Sequence, residues 1–299
     1  MWRTFFEELG YEVVVSPHTD RALVEEGAAR SVDECCLASK TFLGHVDALR
    51  GRCDALFVPA YLNGNAHAGF CTKFHAAPDL VAHAFRDEEM PVLITLAVED
   101  VSNRRDTRAA WVMMARRLGV SAKDAHKAFD KAFHAQREFD EGKARSQAEA
   151  LAAASSASSP LSILVVGHPY ITHDDYLCGA VVDALKAAGV TTLFADETNH
   201  ATTYKASFEF SETMPWCISR ELVGSILTLR NQVDGIILLS AFPCGPDSMT
   251  DDAIMRCIQG VPILNLMIDA QSGTAGVETR IESFVDILQF QHKGGYGNA

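Results

Sequence analysis

The chain has 299 residues, room for two cores of ordinary size, and its 48% hydrophobic and 22% charged content reads as a soluble globular protein. A net charge of −13 excludes a nucleic-acid binder, because phosphate recognition needs a concentration of Lys and Arg. No apolar run is long enough to span a bilayer, and Arg3, Glu7 and Glu8 put charge where a secretory signal needs an uninterrupted apolar stretch, so a cytoplasmic protein without membrane contact is expected.

In chain order, Phe5 to Leu9 reads as the end of a helix stopped by Gly10, and Tyr11 to Ser16 as a short β-branched strand. Ser31 and Glu34 have the spacing of a capping box, so a helix is expected from Ser31 to about Gly51, with Val32, Cys36, Leu43 and Val46 apolar. Asp54 to Ala60 reads as a buried strand followed by a loop that reaches Cys71, and Pro91 to Val98 as another strand. Ser102 and Ser121 each have the character of a helix cap, the second opening a charged and then Ala-rich helix that leads into a Ser-rich linker ending at Pro160. Beyond it, strands are expected at 161–167, 191–195, 234–240 and 261–269. Helices are expected at 176–188 and 216–230, with a last one carrying the stripe Val277, Ile281, Phe284, Val285 and Leu288. Strand–helix alternation favours parallel sheets. The expected architecture is α/β: two Rossmann-like parallel-sheet domains, 1–101 and 161–299, joined by a helical connection over 102–160, with a cleft between them.

Eight cysteines are more than packing requires, and a cytoplasmic chain of this size keeps its thiols reduced. There is no CxxC pair and no His-rich cluster, so a metal site has to be assembled from distant segments. In open parallel sheets, functional groups gather beyond the carboxyl ends of the strands. Sorted by that edge, Cys244 qualifies in the Pro/Gly loop Ala241 to Ser248, Cys71 in the loop after the Asp54–Ala60 strand, and Cys36 in the second turn of its helix. Cys178, early in the helix after the 161–167 strand, is held in reserve. Cys53 falls at the opposite edge, Cys217 and Cys257 read as buried small hydrophobes within helices, and Cys35 is turned about 100° from Cys36 around a helix. Cys36, on a face with Val32, Leu43 and Val46, reads equally as a core residue, and Cys71 as an ordinary loop cysteine. A cubane cluster takes four ligands, so three thiolates leave one iron open to a substrate or small ligand.

The segments around these cysteines carry a resemblance. Trp2 to Val14, Val32-Asp33-Glu34-Cys35-Cys36-Leu37, Cys71-Thr72-Lys73-Phe74 with Pro78-Asp79, and Gly167-His168-Pro169-Tyr170 match one family in order along the chain. So do Phe242 to Met249 and Ser272 to Gly276 with Thr279-Arg280. The sequence resembles proteins related to the 2-hydroxyacyl-CoA dehydratase subunits, the acyl-CoA dehydratase activase-related family. That resemblance implies two Rossmann-like domains around an iron–sulfur cluster, of the 4Fe–4S or double-cubane type, with Cys36, Cys71 and Cys244 as its ligands and Cys35 as the extra thiol. It further implies an ATP-dependent activase partner of the actin/Hsp70-like fold that delivers a low-potential electron, and a small-molecule or acyl-CoA substrate. In the dehydratases the electron passes to a 2-hydroxyacyl-CoA and water leaves through a ketyl radical. The resemblance is also compatible with a dimer.

Three features depart from the pattern. Relatives begin with a strand before the Trp-x-x-Phe-Phe segment, and this chain starts at Met1-Trp2. Where they carry a Glu-His pair and a Glu near the last strand, this chain has Ala270, Gln271 and Thr274, which weakens the case for dehydration and favours the alternative of a non-catalytic docking domain with structural cysteines. A zinc-loaded site is the third reading. His168-Pro169-Tyr170 with His173-Asp174-Asp175 lies at the functional edge and reads as a loop lining the cleft in preference to a mononuclear metal site. The Gly273–Gly276 helix start is suited to an anion or to close packing. With no GxxxxGK[ST] and no GxGxxG after a strand, ATP is left to a partner.

Overall fold

A computed structural model describes residues 1–154, 160–270 and 274–292. The N-terminal half runs through helix α1 (Trp2–Glu8), α2 (Arg21–Ala29), α3 (Leu37–Leu49), strand β1 (Ala55–Asn65), β2 (Ala68–Gly69), α4 (Thr72–His75), α5 (Ala77–Ala84) and β3 (Val92–Asp100). Then come α6 (Arg104–Arg117) and the 33-residue α7 (Ala122–Ala154). The C-terminal half holds β4 (Ser162–Gly167), α8 (Pro169–Thr172), α9 (Asp175–Ala187), β5 (Thr191–Phe194), α10 (His200–Ala206), α11 (Cys217–Leu229), β6 (Gly235–Ala241), α12 (Gly245–Cys257), β7 (Ile263–Ile268) and α13 (Thr274–His292).

The α/β expectation holds. β1 and β3 are parallel, with β2 a short antiparallel addition in the order β2-β1-β3, and the second sheet is wholly parallel in the order β5-β4-β6-β7. β4 and β6 are buried along their whole length, as strands covered by helices on both faces must be. The stripe Ile281, Phe284, Val285 and Leu288 packs on them as its spacing predicts, and Val24 and Leu37 of the N-terminal half enter the same cluster. α7 crosses between the halves. Its first turns bury Ala125, Ala128, Phe129 and Ala132 beside Trp111, while Gln147 accepts from the Phe194 N–H at 2.7 Å and donates to Thr198 at 3.1 Å. Among the described residues, no helix is long and apolar enough to cross a membrane.

Several expectations are corrected. Residues 11–16 are not a strand: among the described residues no strand lies beside them, and a β-branched run without a ladder partner has nothing to hold it extended. Among the described residues, the edge of β1 that faces away from β3 is paired only near its end, where Asn63 and Asn65 meet β2. The capping box at Ser31 does not form. Ser31 donates to the Val32 carbonyl, residues 31–36 make turns, and α3 starts at Leu37, whose N–H donates to the Phe242 carbonyl at 2.9 Å. The first of the two later helices is capped by Asn103, which accepts from the Asp106 N–H, in place of Ser102. Ser121 does cap α7, accepting from the Asp124 N–H at 3.1 Å. The loop expected after β6 is only three residues long before α12 begins, and α2 and α10 carry no signal strong enough to have been expected. Residues 155–159 of the expected linker lie outside the described residues.

α2 and α3 pack so closely that glycine is required at their crossing. A Cβ on Gly44 would stand 2.1 Å from the Leu23 carbonyl oxygen, and one on Gly27 would stand 1.9 Å from that of Lys40. Backbone cannot yield as a flexible side chain does. Gly44→Ala is expected to cost about 1–3 kcal/mol or more through overpacking. Gly179→Ala, in a helix where the new Cβ meets nothing within 4 Å, is expected to gain about 0.5–1 kcal/mol. Denaturant melts of the two variants check the pair, and equal stabilities would contradict the packing.

Candidate functional site

Cys36, Cys71 and Cys244 come from three separate segments and take the same local role. Each is the N-cap of a helix, with extended backbone at φ/ψ of −65°/156°, −69°/158° and −72°/116°. An N-cap residue stands at the mouth of its helix, where the first backbone N–H groups have no intrahelical acceptor. For Cys36 and Cys244 the helices behind are 13 residues long, so their partial positive ends add to this. Cys36 was expected in the second turn of its helix; it stands ahead of the first because the turns at 31–36 replace the expected capping box.

All three line one cavity of about 330 Å³ between the two sheets. Its remaining wall is mostly apolar and includes the rings of Phe42, Phe57, Phe70, Phe74, Tyr170 and Trp216, and its polar groups include Ser39, Lys73 and His168. Phe57, Val58 and Pro59 are consecutive on β1 yet touch the same space. Side chains alternate along a strand, so the cavity also runs along the edge of β1. Trp216 lines the cavity as well, next to Pro215, whose carbonyl accepts from the Gly69 N–H at 2.8 Å and so ties the loop before α11 to β2.

The sulfurs sense one another. Burial pushes the Cys71 thiol up, the backbone N–H groups of Lys73 and Phe74 pull it back, and the charges of Cys36 and Asp247 raise it further. Burial also pushes the Cys244 thiol up, with the neighbouring Asp247 carboxylate next in weight. Burial drives the Tyr170 phenol upward too, followed by the negative charges of Asp247, Cys244, Cys36 and Cys71, so all three sulfurs lie within electrostatic reach of one side chain. Cys36 Sγ stands 3.5 Å from Ser39 Oγ.

The other cysteines fall elsewhere. Cys178, the reserve ligand, is 1% exposed in the core beneath α9 and does not line the cavity; burial raises its thiol to about 12. Cys217 is buried at the first position of α11, against Gly64, and is likewise raised to about 12 by burial. Cys257 is exposed, contrary to the buried role expected of it, because it ends α12 on the outer side. Cys35 is buried in the turns before α3 and does not line the cavity; with neither Cys35 nor Cys36 inside the helix, their separation comes from the turn and not from helical rotation. Burial would raise its thiol, but the Ser31 hydroxyl and the Lys73 ammonium, 3.2 Å away, outweigh that and hold it below the ordinary value.

The sequence reading missed a pairing that both of its motif segments contain. His168, the N-cap of α8 at the carboxyl end of β4, places Nδ1 3.0 Å from Asp247 Oδ1 on the first turn of α12, and both side chains are under one tenth exposed. β4 and β6 are neighbours, so the residues following them meet, and strand adjacency was the signal that could have found the pair. The metal-site reading of the second histidine is not realised: His173 bonds Asp196 at 2.6 Å, and Asp174 caps α9. Among the described residues, no group of three His, Cys, Asp or Glu side chains is spaced for a single metal ion. Gly273 of the expected anion-binding helix start lies outside the described residues, as do Gln271 and Ser272 before it.

The sheets and the cavity define the class: a mixed α/β protein with parallel sheets, whose helix N-termini bring three thiols to the space between them. The chain belongs to the CoA enzyme activase uncharacterised domain family, whose model matches residues 1–197. That span includes Cys36, Cys71 and His168, while Cys244 lies beyond it. No curated protein matches the chain.

One turn after Asp247, Asp251 is raised to about 7 by burial and by the charge of Asp247, against the Ser240 hydroxyl. The folded chain therefore keeps a proton that the unfolded chain releases above 3.8. The stability this contributes is complete at low pH and is lost as pH rises through about 7. Asp251→Asn is expected to raise Tm relative to wild type at pH 8 and to leave it little changed at pH 4, and the same shift at both pH values would contradict the assignment.

Proposed function

We propose that the cavity holds an iron–sulfur cluster on Cys36, Cys71 and Cys244, and that the chain works in a CoA-enzyme activase system as a low-potential redox component. The observation that carries this reading is the convergence of three N-cap thiols, from three segments, on one cavity with a mostly apolar wall. The donor set fits the group: thiolates are the ligands of such clusters, and a polynuclear group spaces its ligands more widely than a single ion does. Three protein thiols leave one coordination position for something else. When bound, the cluster would supply one-electron chemistry at a potential tuned by burial and by hydrogen bonds to sulfur.

This chain's own residues have separable tasks. The N–H groups at the starts of α3 and α12 offset negative charge on the sulfurs. The mostly apolar wall would lower the polarity around the sulfurs, one of the levers on a cluster's potential. His168, backed by Asp247, is the group placed to hold or move a proton at the cavity surface. An ATP-driven activase of the actin/Hsp70-like fold as electron donor, and an acyl-CoA or other small molecule as acceptor, follow from the family resemblance.

A second reading is favoured by Ala270, Gln271 and Thr274, which stand where dehydratase relatives carry acidic and His groups. On it the chain docks an activase, and its cysteines serve packing alone.

Anaerobic purification and reconstitution separate the two. The cluster reading expects well over about one iron and one sulfide per chain, and a loss of most of that iron in each of Cys36→Ala, Cys71→Ala and Cys244→Ala. Cys178→Ala should keep the wild-type iron content. Less than about one iron per chain, or iron content indifferent to all three substitutions, would overturn it.

A further inference from the structure

The two cavity-lining thiols of the N-terminal half sit on segments with little regular structure of their own. Cys36 ends a run of turns from Ser31, and Cys71 precedes a helix of a single turn. One side-chain contact crosses directly between these segments. Lys73 Nζ donates to Cys35 Sγ at 3.2 Å, so the residue next to Cys36 is bonded to the residue two beyond Cys71. Cys35 is 1% exposed, so the ammonium meets its acceptor at the rim of the interior, where a charge-assisted bond is worth more than on the open surface. Among the described residues that line the cavity, Lys73 is the single Lys or Arg.

We infer that Cys35 and Lys73 are a positioning pair, a latch that fixes the Cys36 segment against the Cys71 segment so that both thiols face the cavity. Cys35 then has a task of its own that is not ligation. The inference builds on the cluster reading for its purpose, yet the latch is a property of the protein without metal and is tested there. Lys40, whose Nζ donates to the Asp33 carbonyl at 3.0 Å, steadies the same turns from within the helix that follows and does not reach the Cys71 segment.

The test uses the full chain, reduced and metal-free, and follows alkylation of each cysteine by iodoacetamide with mass spectrometry. Lys73→Met removes the donor from an exposed position and should leave the fold intact. It is expected to speed labelling of Cys36 and Cys71 by about tenfold, the scale of one lost charge-assisted bond, with Cys257 as an unchanged control. Lys73→Arg keeps a cationic donor and should label like wild type. Cys35→Ser, which keeps a polar acceptor, should stay near wild type, while Cys35→Val should match Lys73→Met. Wild-type labelling rates in Lys73→Met, or equally fast labelling in Lys73→Arg, would overturn the latch. A chain that takes up no iron yet shows the expected labelling pattern would refute the cluster reading and leave the latch standing.

Discussion

The Leu37 N–H donates to the Phe242 carbonyl, at 2.9 Å, and much of the site depends on that bond. Leu37 is the first residue of α3, so its N–H has no acceptor within its own helix. Phe242 lies just past β6, two residues before Cys244. The bond therefore sets the start of one helix against the carboxyl end of a strand in the other half, and with it Cys36 against Cys244. The Gly69 N–H does the same for the other side by donating to the Pro215 carbonyl. Both links are backbone bonds, which makes them indifferent to side-chain identity.

Around that frame the chemistry follows from placement. Thiols in an apolar cavity resist ionisation, and the upward push on Cys71 and Cys244 shows that cost. Helix N-termini act the other way. On balance Cys71 and Cys244 favour the neutral thiol, and a positive centre beside them would favour the thiolates with release of protons. Asp247 and His168 add a buried carboxylate–imidazole contact beside one of the three sulfurs.

Much of the fold was legible in the sequence, because its strands are near-continuous apolar runs and its last helix has a clean stripe. The parallel sheets, the helical crossing at α7 and the stop glycines at Gly119 and Gly189, both with positive φ, could all be read. Tyr11 to Ser16 could not, since a run with strand composition becomes a strand only where a neighbour offers a ladder. The capping box at Ser31 failed for a similar reason: a long-range acceptor, the Phe242 carbonyl, fixes where α3 begins. Edge-sorting brought Cys36, Cys71 and Cys244 to one region even though it placed Cys36 one turn too deep in its helix. It also put Cys178 nearby, and there the reading stopped short, because facing the cleft and facing the core differ by a rotation of the helix that spacing alone does not fix. The His168–Asp247 pair was hidden because its members lie 79 positions apart, as their numbers show, and meet only through the adjacency of β4 and β6.

The central claim is that these three thiols hold iron together with sulfide. Iron K-edge X-ray absorption on anaerobically reconstituted protein addresses it most directly, because it reports the atoms around the metal. The account predicts sulfur as the dominant first neighbour and a second shell of iron, both lost when Cys244 is replaced by Ala. Iron surrounded by oxygen or nitrogen, with no iron neighbour, would contradict it.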